Sequence, residues 1–523
     1  MSASRNTLFA AAAAALLAAY FIAWRAPAAG TYHDDGIYMV TAKALAEGKG
    51  YRIISLPGEV PQTKYPVLFP LLLSTIWRLA PDFPSNVPVL KLLPLTAAFA
   101  WFVLSWLLLR QEGASPPLAS SICLLTAGSA WVVYMSNAML SETLFAALTT
   151  SSLLFLRRAE QRPGWRDAVI GAVLASLAFH TRGAGVALLV AAPAFYAWKR
   201  LYRQALLFSA IAALFCIPWL VWVASHSSVP AAGAAYYSNA NYQGWNIVLN
   251  FTWPQKLHIL LENALMVFLA PGLLAGLPAS PAFLIPAALA GAVIFAGLLR
   301  GERSVLTAFL AAYIALILAW AWSPMRFLVP LLPLLYWYGW RRVSGGRVTA
   351  GICAALACLT CAISLGRASV HTIRLGDPQP NLRASDGWYP LAALLDWTKI
   401  HTPPTAVLAG NLDPLYYLYT GRKAVRSFSA EPYSLIYSHS AYPIGAPRQL
   451  LHNLQAARAS FWIRTPNSTF LEGKHLEQAQ LELSREYPAT LRPLSPPVPS
   501  THGIYAVQEL QAVRRKCSPC EFP

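Results

Sequence analysis

Apolar and polar positions alternate along this chain on the length scale of a lipid bilayer. A membrane span needs ~20 mostly apolar residues. Such stretches recur at 8–24, 89–109, 118–135, 139–156, 168–181, 184–198, 205–225, 279–299, 304–322, 325–340 and 348–366. Short loops rich in Arg or Pro separate them, so the pattern predicts a polytopic α-helical membrane protein with about eleven transmembrane helices. The first stretch is flanked by Arg5 and Arg25, and although APAA after Arg25 faintly suggests a signal-peptidase site, we read it as an uncleaved span. The stretch 257–278 is also apolar, but Glu262, Pro271 and Pro278 interrupt it, and it reads as an interfacial or re-entrant helix.

After residue 366 the pattern changes. Residues 367–523 are rich in Pro, Tyr, His and charged side chains and contain no run that could span a bilayer. Short apolar strands at 405–409, 459–464 and 503–508 alternate with helical patterns at 390–400, 446–457 and 471–486. Strand and helix in alternation predict a small C-terminal α/β soluble domain. The chain therefore divides into a transmembrane part, 1–366, and an extracytoplasmic part, 367–523. Neither a glycine-rich phosphate loop in that second part nor an internal repeat anywhere is visible.

Composition agrees. Of 523 residues, 56% are hydrophobic and 12% charged, about half the ~25% charged share of a soluble domain, which argues against a water-soluble enzyme. Forty Lys and Arg against 22 Asp and Glu give a net charge of +18. Such a balance would point to nucleic acid if it lay on one polar face, but here the cations sit between apolar runs and no nucleic-acid partner is expected. They also alternate. Arg110, then Arg157, Arg158, Arg162 and Arg166, then Lys199, Arg200 and Arg203, then Arg300 and Arg303, then Arg341, Arg342 and Arg347 occupy every second loop. Lys and Arg in short loops stay on the cytoplasmic side, so the amino terminus is expected inside and everything after residue 366 outside. Counting 257–278 as a full span would put the Arg300 loop outside, so the charge pattern itself favours eleven.

Five of the seven cysteines lie in apolar runs, where a thiol acts as a small hydrophobe. Cys517 and Cys520 form a lone CxxC, read as a local disulfide or two free thiols, with metal binding the weaker alternative. Asn250 and Asn467 open sequons too common to interpret without knowing the host.

The first external loop, from Arg25 to Pro88, is long where most others are short, and long loops in compact proteins are usually functional. Within it Ile37, Val40, Thr41, Ala44 and Leu45 follow helical spacing, predicting a short amphipathic helix over 36–47 on the membrane surface, ended by Gly48. Asp34 and Asp35 open that helix. Neighbours on a helix point in different directions, so the two carboxylates are expected to do different jobs. Both can serve as caps that complement the helix dipole. One cap suffices, and the other carboxylate, its pKa raised near lipid, is suited to act as a base toward a hydroxyl. Lys64 either snorkels to the interface or meets an anion. Arg326 either anchors a helix end or offers its planar fork to phosphate. Glu142 opens a span, where it favours the helix dipole or shapes a pocket. His180 and Arg182 sit at a helix end, and a lone His there makes no metal site.

The order of these pieces resembles a known family. A first span, an external acidic pair, an amphipathic helix and a YPP-like segment are similar to the GT-C superfamily of membrane glycosyltransferases, especially the protein mannosyltransferase and lipid A aminoarabinose transferase group. SETLF at 141–145, HTRG at 180–183 and RFLVPLLP at 326–333 resemble its later motifs, and LDWTKIHTPPTAVLAG resembles external domains of bacterial members. In KYPVLFP, Val67 stands where the family has a second proline. The resemblance implies an inverting glycosyltransferase of the bacterial inner membrane that moves a sugar from a polyprenyl-phosphate donor to a glycan, lipid or protein acceptor at the external face. It implies Asp34 as the catalytic base and Asp35, Lys64, Tyr65, Glu142, Arg182 and Arg326 as substrate-binding residues. No organic cofactor and no metal ligands are implied, and a divalent-metal requirement stays open. The rival reading is a transporter or flippase of lipid-linked sugars. Transporters usually show repeated halves and ionisable residues at mid-membrane, whereas here those residues gather at one face.

The orientation is testable from charge alone. A reporter active only outside the cytoplasm should be active when fused after residue 370 and silent after Arg158. Activity at Arg158 would invert the arrangement.

Overall fold

A computed structural model of the protein describes residues 2–226, 237, 245–277, 280–343, 347–426, 428, 432–438, 440, 442, 444–467 and 472–508. Cys517, Cys520, part of the Asn467 sequon and most of the loop before Asn250 lie outside the described residues.

The chain is an integral membrane protein. Among the described residues five helices are long and apolar enough to cross a bilayer: Val87–Gln111, Tyr202–His226, Trp253–Leu274, Pro281–Leu299 and Ala354–Leu375. Shorter apolar helices include Ala10–Trp24, Pro116–Ala127, Gly183–Trp198 and Val305–Leu318. Two expected spans are broken, each for a local reason. The stretch 118–135 divides into Pro116–Ala127 and Ala130–Met135. Between them Gly128 lies against the helix Arg347–Leu375, where a Cβ would meet Cys361 Sγ at 3.0 Å. The stretch 325–340 becomes a turn, Met325–Leu328, then a 3-10 turn, Val329–Leu331, then the helix Leu332–Val343. Pro330 and Pro333 remove backbone donors there.

The stretch expected to be interfacial or re-entrant forms the continuous helix Trp253–Leu274, long and apolar enough to cross. Thr252 and Gln255 close its start with a capping box. Near that start His258 Nδ1 lies 3.0 Å from the Tyr433 hydroxyl and Asn263 accepts from Tyr437 at 2.8 Å. Its far end meets Thr360, which donates to the Ala275 carbonyl near the middle of the helix Arg347–Leu375.

Three of the cation-rich loops, those following Arg110, Arg157 and Arg300, meet at one end of the bundle. Arg157, buried, pairs there with Glu112 at 2.8 Å, Glu160 at 2.9 Å and Glu302 at 3.1 Å. The first long loop and the C-terminal sheet meet at the other end. β1 (Val407–Ala409) runs parallel to β2 (Lys423–Val425) and to β3 (Phe461–Arg464). β5 (Gly503–Val507) runs antiparallel to β3 and to β4 (Leu491–Pro493), giving the order β2-β1-β3-β5-β4.

One face of this sheet, with Leu408, Ala424, Ile463 and Ile504, packs with Leu391, Leu395, Leu415 and Tyr416. The opposite core joins Ala409, Val425 and Trp462 to Leu450, Leu454 and Leu483, and continues into Ile53, Ile54 and Leu56 of the first loop. The Ala424 amide donates to the Ser55 carbonyl at 2.9 Å, and Lys423 reaches the Ile54 carbonyl and Glu59. The long loop and the sheet therefore share one core.

Candidate functional site

The turn that leaves the helix Ser2–Trp24 is shaped by Asp35. Its carboxylate accepts from the backbone amides of Gly30 (2.9 Å), Tyr32 (3.0 Å) and Gly36 (2.8 Å), folding residues 30–36 over the start of the helix Asp34–Ala46. Gly30 supplies the positive φ (85°) that the turn needs. Asp35 is 2% exposed with both oxygens occupied. The sequence places it beside the substrate, and instead it points into the protein, where its two oxygens accept from three backbone amides.

Asp34 takes the other direction. Its side chain is 16% exposed, accepting at Oδ2 from Arg326 at 2.7 Å and at Oδ1 from the Tyr65 hydroxyl at 2.5 Å. The Gln62 side chain sets the Tyr65 segment by accepting from the backbone amides of Lys64 (2.9 Å) and Tyr65 (3.3 Å). Arg326 comes from the proline-bounded turn Met325–Leu328 and also donates through Nε to Glu142. Glu142 begins the helix Glu142–Gln161 and accepts from Arg182 at 2.7 Å, while Arg182 also donates to Ser141 Oγ at 3.1 Å. The result is a row of alternating charge, Asp34, Arg326, Glu142, Arg182, running across four segments far apart in sequence. Aromatic faces back the cations: Arg326 lies 4.7 Å from the Tyr32 ring centroid and Arg182 5.3 Å from that of Phe327. Lys64 stands at the edge, 5.1 Å from the Tyr65 ring centroid.

Six of the seven expected residues therefore come together, and Asp35 does not. His180 also turns away, with Nε2 2.9 Å from the Phe215 carbonyl. Glu142 is 1% exposed, and its Oε2 has no hydrogen-bond partner among the described residues. Among the described residues no group of three or more His, Cys, Asp or Glu side chains could hold a metal ion.

The expected rise in pKa falls on the wrong carboxylate. Burial pushes Asp35 up to about 7, against the pull of its three amides. Burial acts the same way on Asp34, but the positive charge of Arg326, with smaller contributions from the nearby His33 and Lys64, outweighs it and holds Asp34 well below the usual carboxylate range. Asp34 is thus an ionised carboxylate restrained by cations rather than a lipid-raised one.

No protein-family model matches this chain, and no curated protein matches it significantly. Solved structures do. The archaeal oligosaccharyltransferase AglB from Archaeoglobus fulgidus, in complex with an inhibitory peptide and a dolichol-phosphate, superposes with a TM-score of 0.53 over 97% of this chain and 75% of its own, at 14% identity. The chain has the GT-C glycosyltransferase fold. Another GT-C structure, ArnT from Cupriavidus metallidurans bound to undecaprenyl phosphate, covers 97% of this chain and 98% of its own at 13% identity with a TM-score of 0.46.

Two further residues border the acidic turn, His33 and Asp413, and neither is among the residues the sequence singles out. His33 adjoins the acidic pair and was there to be noticed. Asp413 opens the helix Asp413–Thr420, and nothing local marks it.

Asp35→Asn tests the structural role. An amide has one accepting atom where three amides need a carboxylate, so the variant should lose about 1–3 kcal/mol of stability, measured by unfolding in detergent. The raised pKa fixes the pH dependence. Asp35 binds its proton more tightly when folded, so its contribution is present below about pH 4 and is lost as pH rises through about 7. The parent's stability should therefore fall across that window relative to the variant's.

Proposed function

We propose that this protein is an inverting glycosyltransferase that takes a sugar from a polyprenyl-phosphate donor at the external face of a bacterial inner membrane. The observation that carries this reading is Asp34, a partly exposed carboxylate held between Arg326 and Tyr65 with Lys64 beside it. It is a base set next to cations, at the end of a membrane bundle opposite the loops of excess positive charge. The fold is shared with an oligosaccharyltransferase solved with dolichol-phosphate, a lipid phosphate of the proposed class.

The reaction needs few parts. The acceptor hydroxyl gives its proton to Asp34, its oxygen bonds to the sugar's anomeric carbon from the face opposite the leaving group, and the bond from that carbon to the phosphate oxygen breaks. Polyprenyl phosphate leaves with the electron pair. No general acid is required, because a phosphate met by cations is already a good leaving group. Lys64, at the open edge of the site, is the cation assigned to the phosphate, and Arg326 shares that task. Arriving phosphate competes with Asp34 for the positive charge of Arg326 and Lys64. That charge is what depresses Asp34, so donor binding raises its basicity as the acceptor enters. Glu142, buried, accepts from both Arg326 and Arg182 and so holds the cation beside Asp34 in place.

Arg326 carries more than charge, since its fork spans two carboxylates, Asp34 and Glu142, and an ammonium cannot bridge both with fixed geometry. In an assay of polyprenyl phosphate released from lipid-linked sugar, Asp34→Asn should lower turnover about 10²–10⁴-fold, the usual worth of a general base. Arg326→Lys should weaken turnover substantially and Arg326→Ala nearly abolish it. Parent-like rates in Asp34→Asn would remove the base. A protein that binds donor but never cleaves it would instead be a carrier of lipid-linked sugars.

A further inference from the structure

The Asp34 turn is gripped from above by the C-terminal region. His33, the residue before the acidic pair, is 2% exposed and holds a positive φ of 59°, a conformation that costs a non-glycine residue energy and persists only when its surroundings enforce it. Its Nε2 lies 3.2 Å from Asp413 Oδ1 and 3.1 Å from the Tyr237 hydroxyl, which itself donates to Asp413 Oδ2 at 2.7 Å. The other ring nitrogen, Nδ1, faces Asp34 Oδ1 at 4.0 Å. Asp413 is fully buried. The first turn of its helix presses so close that a Cβ on Gly36 would sit 3.0 Å from Pro414.

Asp413 has two ordinary explanations, helix start and docking, and neither suffices. A carboxylate at a helix start is favourable in water, but this one is buried, where an unpaired charge is costly, and it is spent on an imidazole. Docking is secured elsewhere. The Ala28 amide donates to the Gly376 carbonyl at 3.1 Å, Thr31 donates to Asp377 at 2.9 Å, and Lys423 pairs with Glu59 at 2.6 Å. A carboxylate on one nitrogen of a histidine fixes the ring's orientation and which nitrogen carries the proton.

We propose that Asp413 is a positioning residue for Asp34 that acts through His33. This rests on the reading of Asp34 as the base. The C-terminal region then completes the site rather than merely covering it, because the side chain that orients the base's neighbour comes from the far end of the sequence.

The test compares donor turnover and donor KM in the full-length protein and in D413N, His33→Gln and the double variant, with Glu59→Gln as a docking contact that does not reach the acidic turn. D413N keeps size and removes charge. It should lower kcat about 10–100-fold, the range found when the carboxylate behind a metal-bound histidine is lost, with donor KM unchanged. Because the route runs through His33, the double variant should be no slower than His33→Gln alone. Glu59→Gln should turn over at the parent rate. The proposal is overturned by parent kcat in D413N, by a double variant whose loss is the product of the two single losses, or by an equal loss in Glu59→Gln. If D413N does not fold, His33→Gln decides: reduced kcat supports the relay and parent kcat overturns it. Asp34→Asn, run alongside, separates the two claims. Inactive Asp34→Asn with parent-like D413N sinks the positioning role alone, and active Asp34→Asn sinks the base on which it rests.

Discussion

The site depends on one buried row of charge. Asp34, Arg326, Glu142 and Arg182 alternate in sign, and each is tolerable in a low-dielectric setting because its neighbours are present. Removing one partner of such a pair leaves an uncompensated charge and costs about 3–5 kcal/mol. The row therefore fixes the mutual positions of the first external loop, the start of the helix Glu142–Gln161, the turn at Arg182 and the turn Met325–Leu328. It also sets the chemistry, since the cations that make Asp34 affordable in that setting also depress its basicity. A site built this way is restrained until an anion draws the cations off, and in the proposed reaction the donor's lipid phosphate is that anion.

The second constraint is the core shared by the first loop and the sheet. Ile53, Ile54 and Leu56 pack in the same cluster as Val425 and Trp462, so residues near the two ends of the chain stabilise one unit. That unit surrounds the acidic turn, with Asp377 reaching Thr31 and Asp413 reaching His33. Burial raises Asp377 against its hydrogen bonds and the charge of Lys91. This is the expected behaviour of a carboxylate retained for its contacts inside a packed junction.

Much of this was legible from local pattern. Apolar runs mark the helices, and the strands at 405–409, 459–464 and 503–508 contain β1, β3 and β5. β2 and β4 escaped because three residues such as Lys423–Val425 or Leu491–Pro493 carry no alternation to read. The breaks at Gly128 and Pro330 were missed because hydrophobicity continues through them, and only contact with another helix or loss of a donor ends the ladder. In the site, Glu142, Arg182 and Arg326 stand out as charges at the ends of apolar runs, Asp34 and Lys64 as charges in the long first loop, and Tyr65 only through the family resemblance. Which carboxylate joins the row of charge did not, because Asp34 and Asp35 are chemically identical and differ only in the partners that tertiary structure gives them. Asp413 was invisible for the same reason: its meaning is a contact with a residue 380 positions earlier.

The central claim is that this row of charge receives a polyprenyl-phosphate sugar. Mass spectrometry of lipids retained by the detergent-purified protein tests it most directly, comparing the parent with Lys64→Ala, which removes the cation at the open edge of the site. A polyprenyl-phosphate sugar bound to the parent and depleted from the variant is the predicted result. Its absence from the parent when the donor is supplied, or equal retention by both proteins, would contradict it.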